Sequence, residues 1–271
     1  MRDSRSGTGQ TGWWIALVAA TLLAPQPVPA HVLSVVDGNS LISVDPHSQS
    51  GLQDWEVDGT DHLFQQWFWV RRGDGGKERS LDVLPLVTEE IVDANTIHLR
   101  YWQGPLVVDV RYDLMGGAPG SGGSWIKEKV RLRNRSEQTL DLHWFEYTDL
   151  DLNGTAGGDL AAFVPPALML QFDAPTLAAV FTTNIVPSHW EIAAYPELLE
   201  ELNDGLPTTL ADAGSGLVPG DWTHAYQFDF TLGPRERVCI HKRKDILPVP
   251  VIPEPASALL FGLGGLGMVM R

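Results

Sequence analysis

Only one cysteine, Cys239, occurs in 271 residues. No internal disulfide can form, so the fold must rest on a buried core and hydrogen-bonded backbone. Zinc sites need paired cysteines or histidines at short spacings, and the eight histidines make no His-x-x-x-His pair. No Gly-x-Ser-x-Gly elbow is present, and the Gly76-Lys77-Glu78 step lacks the upstream glycine and the Ser/Thr of a phosphate loop. Positive charge is scarce as well. Nineteen Lys and Arg face thirty-four Asp and Glu, for a net charge of −15. Such a chain is a poor ligand for nucleic acid, whose phosphates demand a basic face. Helical patterning is nearly missing too. The one stretch that predicts a helix is Tyr195 to Leu202, opened by Pro196 and rich in Glu.

What fills the chain is short alternation. Leu33 to Val36 and Leu41 to Val44 flank Asp37-Gly38, a hairpin signal. His62 to Arg71 is apolar on both faces and predicts a central strand covered on both sides. Val108, Val110, Tyr112 and Leu114 alternate with Asp109, Arg111 and Asp113. Trp222 to Leu232 alternates in the same way. About a dozen short strands with turn signals every 8–12 residues predict an all-β fold, a two-sheet antiparallel β-sandwich. Lys242 to Pro250 reads as an exit linker.

Both ends differ from this body. Arg2 and Arg5 precede the apolar stretch Trp13 to Ala24, and Val28-Pro29-Ala30 is a small-residue exit. That is the layout of a secretory signal cut between Ala30 and His31. At the other end, Pro253-Glu254-Pro255 opens an apolar run from Ala256 to Met270, closed by Arg271. This tail resembles the PEP-CTERM sorting signal of Gram-negative bacteria, with one terminal cation where that family carries a basic cluster. The resemblance covers about the last twenty residues. It implies export by a Sec-type machinery, a transient stay at the inner membrane as a short transmembrane helix, cleavage by an exosortase-like enzyme, and delivery to the cell envelope or extracellular polysaccharide. Pro253, Glu254, Pro255 and Arg271 are the residues that carry it. The expected organisation is therefore a signal peptide (1–30), a β-sandwich domain (31–247), a linker (248–252) and a sorting segment (253–271).

For the body, no catalytic residue is assigned, and the expectation is a non-enzymatic envelope or matrix protein. The alternatives are a polysaccharide-binding module and a polysaccharide-active enzyme. Three residue sets bear on them. Asp149, Asp151, Asn153 and Asp159 place oxygens at alternate positions around a turn, as a calcium loop begins. The twelfth position is Leu160 where a bidentate Glu belongs, so the set reads equally as a solvated acidic strand end. Trp67 and Trp69 share a face and form either a sugar platform or a core layer. Lys127, Lys129, Arg131 and Arg133 share one face of a strand, either simply solvated or a site for an anionic polysaccharide. Beyond calcium, no cofactor is implied.

Overall fold

Alternating side chains give each segment one apolar face, and the Asp-Gly and Gly-Pro steps between segments reverse the chain. Antiparallel pairing follows. The computed structural model describes residues 31–249, so both terminal segments read above lie outside the described residues. The chain begins with β1 (Leu33–Asp37), β2 (Ser40–Asp45), β3 (Gly51–Val57), β4 (Thr60–Asp61), β5 (Gln65–Arg72) and β6 (Arg79–Ser80). Then come β7 (Leu86–Asp93), β8 (Thr96–Gln103), β9 (Leu106–Gly116), β10 (Ser124–Asn134) and β11 (Leu140–Asp149). The last third holds β12 (Asp159–Val164), β13 (Leu168–Asp173), β14 (Thr176–Thr182), β15 (His189–Ala194), α1 (Glu197–Asn203), β16 (Gly216–Gly220), β17 (Trp222–Leu232) and β18 (Arg237–Pro248).

Two nine-stranded sheets result. The first runs β1-β2-β3-β5-β11-β17-β15, with β4 on β3 and β6 on β5. The second runs β16-β12-β13-β14-β18-β10-β9-β8-β7. Pairing is antiparallel except between β3 and β5. The all-β, two-sheet expectation is what the chain adopts.

β5 is the centre of the first sheet, and both of its faces are buried. Phe68 packs between the sheets against Trp144, with ring centroids 5.1 Å apart. Trp67 and Trp69 point the other way, under the loops and α1 that cover the outer face. Both are 0% exposed, which corrects their place as ligand-binding candidates: they are a core layer. Their indole N–H groups are satisfied by Asp82 and Asn203. Trp67 also explains Gly51. That glycine has φ +55°, and a Cβ there would lie 2.1 Å from the Trp67 ring.

One reading of the last strand needs correction. Residues 242–248 are not a linker but the second half of β18, paired with β10 and β14. Ile240, Lys242, Lys244 and Ile246 all point inward. The two lysines break the apolar pattern, which is why the strand was not legible. Between the sheets they meet two carboxylates. Lys242 Nζ lies 2.6 Å from Glu128 and also pairs with Glu146. Lys244 lies 2.7 Å from Glu146 and also pairs with Glu128. All four side chains are buried.

Candidate functional site

The expected calcium set does not stay together. Asn153 turns away, donating to the Asp173 backbone and carboxylate at 3.0 Å and accepting from Thr176. Asp159 is buried and accepts a hydrogen bond from Gln171. What remains is Asp149 and Asp151, and the fold adds Asp221. The reason is register. Asp149, the last residue of β11, pairs with Thr223 of β17, so the residue preceding β17 is brought alongside. One carboxylate oxygen from each of Asp149, Asp151 and Asp221 lies within 4.8 Å of the others. A divalent cation could be held by these three; nothing in the arrangement requires Asn153 or Asp159.

No Lys or Arg pairs with the three carboxylates among the described residues. The protonation of the group follows from that. Burial, then the charges of Asp151 and Asp221, pushes Asp149 up to about 7. Burial and Asp221 raise Asp151, and burial raises Asp221. Like charges this close do not all ionise together, so the trio titrates as a set and retains a proton near neutrality. Tyr147 donates its hydroxyl to Asp149 Oδ2 at 3.1 Å, while Oδ1 has no hydrogen-bond partner. His62 sits close by and is buried. Burial lowers its pKa, and its Nδ1 accepts from the Asn153 backbone N–H at 3.2 Å, so the imidazole is neutral.

Two aromatic side chains flank the carboxylates. The backbone N–H of Phe64 donates to the Asp149 carbonyl at 3.1 Å, and that of Tyr195 to the Asp221 carbonyl at 3.0 Å. These bonds fix both residues beside the trio. Their rings meet edge to face at 6.1 Å and are 52% and 42% exposed. Exposed aromatic faces beside carboxylates are what a sugar ring requires: apolar C–H faces stack and hydroxyls are hydrogen-bonded. Sequence spacing pairs Asp149 with Asp151 but cannot reach Asp221, seventy residues further on. Phe64 and Tyr195 carry no motif either.

Two pairs close in sequence, His143 with Glu146 and Asp45 with His47, form no acid–base site. His143 and Glu146 lie on opposite faces of β11: Glu146 joins the buried lysines, and His143 pairs with Asp229 at 2.7 Å. Asp45 ties down its own loop through the His47 N–H and the Ser48 hydroxyl. The cations of β10 do point outward as expected, and Lys127 and Arg133 are exposed.

No family model and no curated protein matches the chain. Solved structures with the same fold exist. A putative aldose 1-epimerase from Escherichia coli K12 aligns over 80% of this chain and 99% of its own, with a TM-score of 0.52 at 10% identity. A GalM/aldose epimerase homologue from C. elegans gives 0.51 over 81% and 99%, at 8% identity. A bacterial glucoamylase solved with acarbose gives 0.58 over 78% of this chain at 8% identity, but the chain spans only 31% of the glucoamylase's length. At these identities the likeness is one of fold.

The non-enzymatic expectation is corrected here, because that fold removes the ground on which it stood. A two-sheet body without a linear catalytic motif suggests a non-enzymatic envelope or matrix protein; the same architecture carries a putative aldose 1-epimerase and part of a glucoamylase. Lack of a motif excludes nothing when the reacting groups come from distant strand ends. The description as a membrane-sorted protein is corrected for the body in the same way. Among the described residues no helix is long and apolar enough to cross a membrane, and the two-sheet fold is one shared with a GalM/aldose epimerase homologue.

Proposed function

We propose that the chain is a carbohydrate-active enzyme whose acid–base centre is the Asp149–Asp151–Asp221 trio, with Phe64 and Tyr195 as the wall on which the sugar packs. One observation carries this reading: three carboxylates with no cationic partner among the described residues lie within 4.8 Å of one another, and two exposed aromatic residues are tied to the backbone of two of them. Sugar-acting proteins of the same fold support it.

Asp151 and Asp221 are half-buried while Asp149 is buried, so these two are the groups placed to touch the sugar. Asp149 lies behind them and is the positioning residue. Burial pushes its carboxyl up to about 7, so it keeps a proton within the set near neutrality. The reaction class that suits such a set is proton transfer at an anomeric centre. One protonated carboxyl gives its proton to the ring oxygen as the C1–O5 bond breaks. The other carboxylate takes the proton from the C1 hydroxyl. The product is the open-chain aldehyde, and the reverse transfers close the ring on either face.

The test is polarimetry of freshly dissolved aldoses, with release of reducing ends from oligosaccharides measured in parallel. D151N and D221N are each expected to lower kcat by about 100-fold or more. F64A is expected to raise KM and leave kcat nearly unchanged. Full activity in both Asn variants would overturn the assignment.

The address is proposed on separate grounds, the residues of 1–30 and 253–271. We infer export followed by C-terminal processing at the Pro253-Glu254-Pro255 step. Mass spectrometry of the protein from its native host is expected to find an N-terminus at His31 and loss of residues beyond the Pro-Glu-Pro step. A mature cytoplasmic protein still ending in Arg271 would refute it.

A further inference from the structure

The outer face of the second sheet is basic, although the chain as a whole is strongly acidic. β10 contributes Lys127, Lys129, Arg131 and Arg133, and β18 continues the field on one side. β18 places Arg243 opposite Lys127 and Arg237 opposite Arg133. β9 places Arg111 opposite Lys129, but Asp113 opposite Lys127 and Asp109 opposite Arg131. Cations directly opposite each other across a ladder repel, and nothing in the fold requires three such pairs. Some charge is compensated: Arg111 pairs with Asp113, Arg243 with Asp245, and Arg100 with Asp109, at 2.7–2.8 Å. Lys127, Lys129, Arg133 and Arg237 have no carboxylate partner among the described residues. From Lys127 to Arg133 the track runs about 20 Å.

At the Arg133 end the track meets Trp102, which is 45% exposed. The Arg135 guanidinium sits 4.8 Å from the Trp102 ring centre. Trp102 and Arg135 form a shared wall between two clefts. One, of about 650 Å³, also holds Arg72 and Arg235. The other, of about 210 Å³, holds Arg131, Arg133 and Arg237.

We propose that this face docks an anionic polysaccharide, one bearing carboxylates along its length, with Trp102 stacking on a sugar ring at one end. Length argues for a polymer and against a single small anion. Charge complementarity argues for a polyanion. Guanidinium groups dominate, and their planar fork matches carboxylates in two-point contact. An exposed indole flanked by arginines suits a sugar ring with a charged substituent. The net charge of −15 repels any polyanion beyond the track and confines its contact to this face. This site lies on the opposite sheet from the aspartate trio. It stands whether or not the trio is catalytic, and it supplies what a carbohydrate-active protein needs to stay on a polymer.

The experiment is affinity electrophoresis and calorimetry of the full chain with polygalacturonate, with neutral dextran and with single-stranded DNA. Retention by polygalacturonate, weakened by salt, is expected, with none by dextran. R133E/R237E is expected to weaken binding about tenfold or more, and W102A several-fold. R133K/R237K is expected to retain most of the binding, and the thermal melt of each variant checks folding. Turnover of small aldoses by R133E/R237E should equal wild type, which separates failure here from failure of the trio. Equal binding by wild type and R133E/R237E would overturn the proposal. So would tighter binding to DNA than to polygalacturonate, or no binding to polygalacturonate at all.

Discussion

Replacing Lys242 with methionine should cost about 3–5 kcal/mol of stability, a fall in Tm of roughly 10 °C for a domain of this size. Methionine nearly matches the volume, so a cavity is not the cause. The loss comes from charge. Lys242 lies between Glu128 and Glu146, with Phe68 and Phe228 at 5.3 and 5.9 Å from its ammonium. Burial pulls its pKa down to about 7 against the upward pull of Glu128. Glu128 is held below its ordinary value: burial raises it, but Lys242 and Lys244 outweigh that. Without Lys242, two buried carboxylates share the single cation of Lys244. His224 cannot take its place, because burial and then Lys244 drive that imidazole down to about 3. Removing one charge of each sign should do less harm than removing one alone. K242M/E146L is therefore expected to recover most of the loss. Thermal denaturation of the two variants decides it. A single variant within about 1 kcal/mol of wild type, or a double variant worse than the single, would show that the four charges do not act as a unit.

The same four residues mark where sequence reading stops. Alternation identified β9, β10 and β17 because their inward positions are apolar. It failed for the second half of β18, where Lys242 and Lys244 occupy inward positions that look solvent-facing. Glu128 shares the inward face of β10 with Ile126, Val130 and Leu132, and only the fold shows which cations meet it. At the aspartate site the limit is different. Asp149 and Asp151 are neighbours in sequence, so a turn with oxygen ligands was readable. Asp221 arrives through β11–β17 pairing, and Phe64 and Tyr195 through backbone hydrogen bonds to the aspartates' own carbonyls. Trp67 and Trp69 show the reverse. Their residue type fits a platform or a core equally, and the covering α1 and loops decide for the core. Cations on one face of β10 were legible. The opposing Arg111, Arg237 and Arg243 required the register.

The aspartate trio makes a further prediction, in the pH dependence of stability. Asp149 has a folded pKa of about 7 and an ordinary unfolded value of 3.8. Asp159 nearby, raised first by burial, behaves the same way. A carboxyl with a raised folded pKa binds its proton more tightly when folded. Its contribution to stability is therefore complete below the unfolded value and is lost as pH climbs toward 7. Lys242 acts in the opposite sense, but only above its own folded pKa of about 7. Between about pH 5 and 6.5 the buried His224 and His62 oppose the aspartates, because their lowered folded pKa values make stability rise with pH. The two aspartates outweigh these imidazoles, and Tm should fall by roughly 5 °C up to about pH 7, most steeply at the upper end of the interval. D149N keeps the shape and removes the titration. It should melt above wild type at about pH 7.5 and lose much of the slope. D159N tests the second carboxyl separately. Calcium supplies the contrasting arm, since a cation that fills the trio replaces the proton and stabilises by mass action. A Tm at about pH 7.5 that rises with added Ca²⁺ in wild type and not in D149N would give the trio to a cation and overturn the proton-sharing reading. A Tm indifferent to Ca²⁺ but falling with pH, with the fall removed by D149N, leaves the three carboxylates holding a proton among them, as acid–base transfer at a sugar requires.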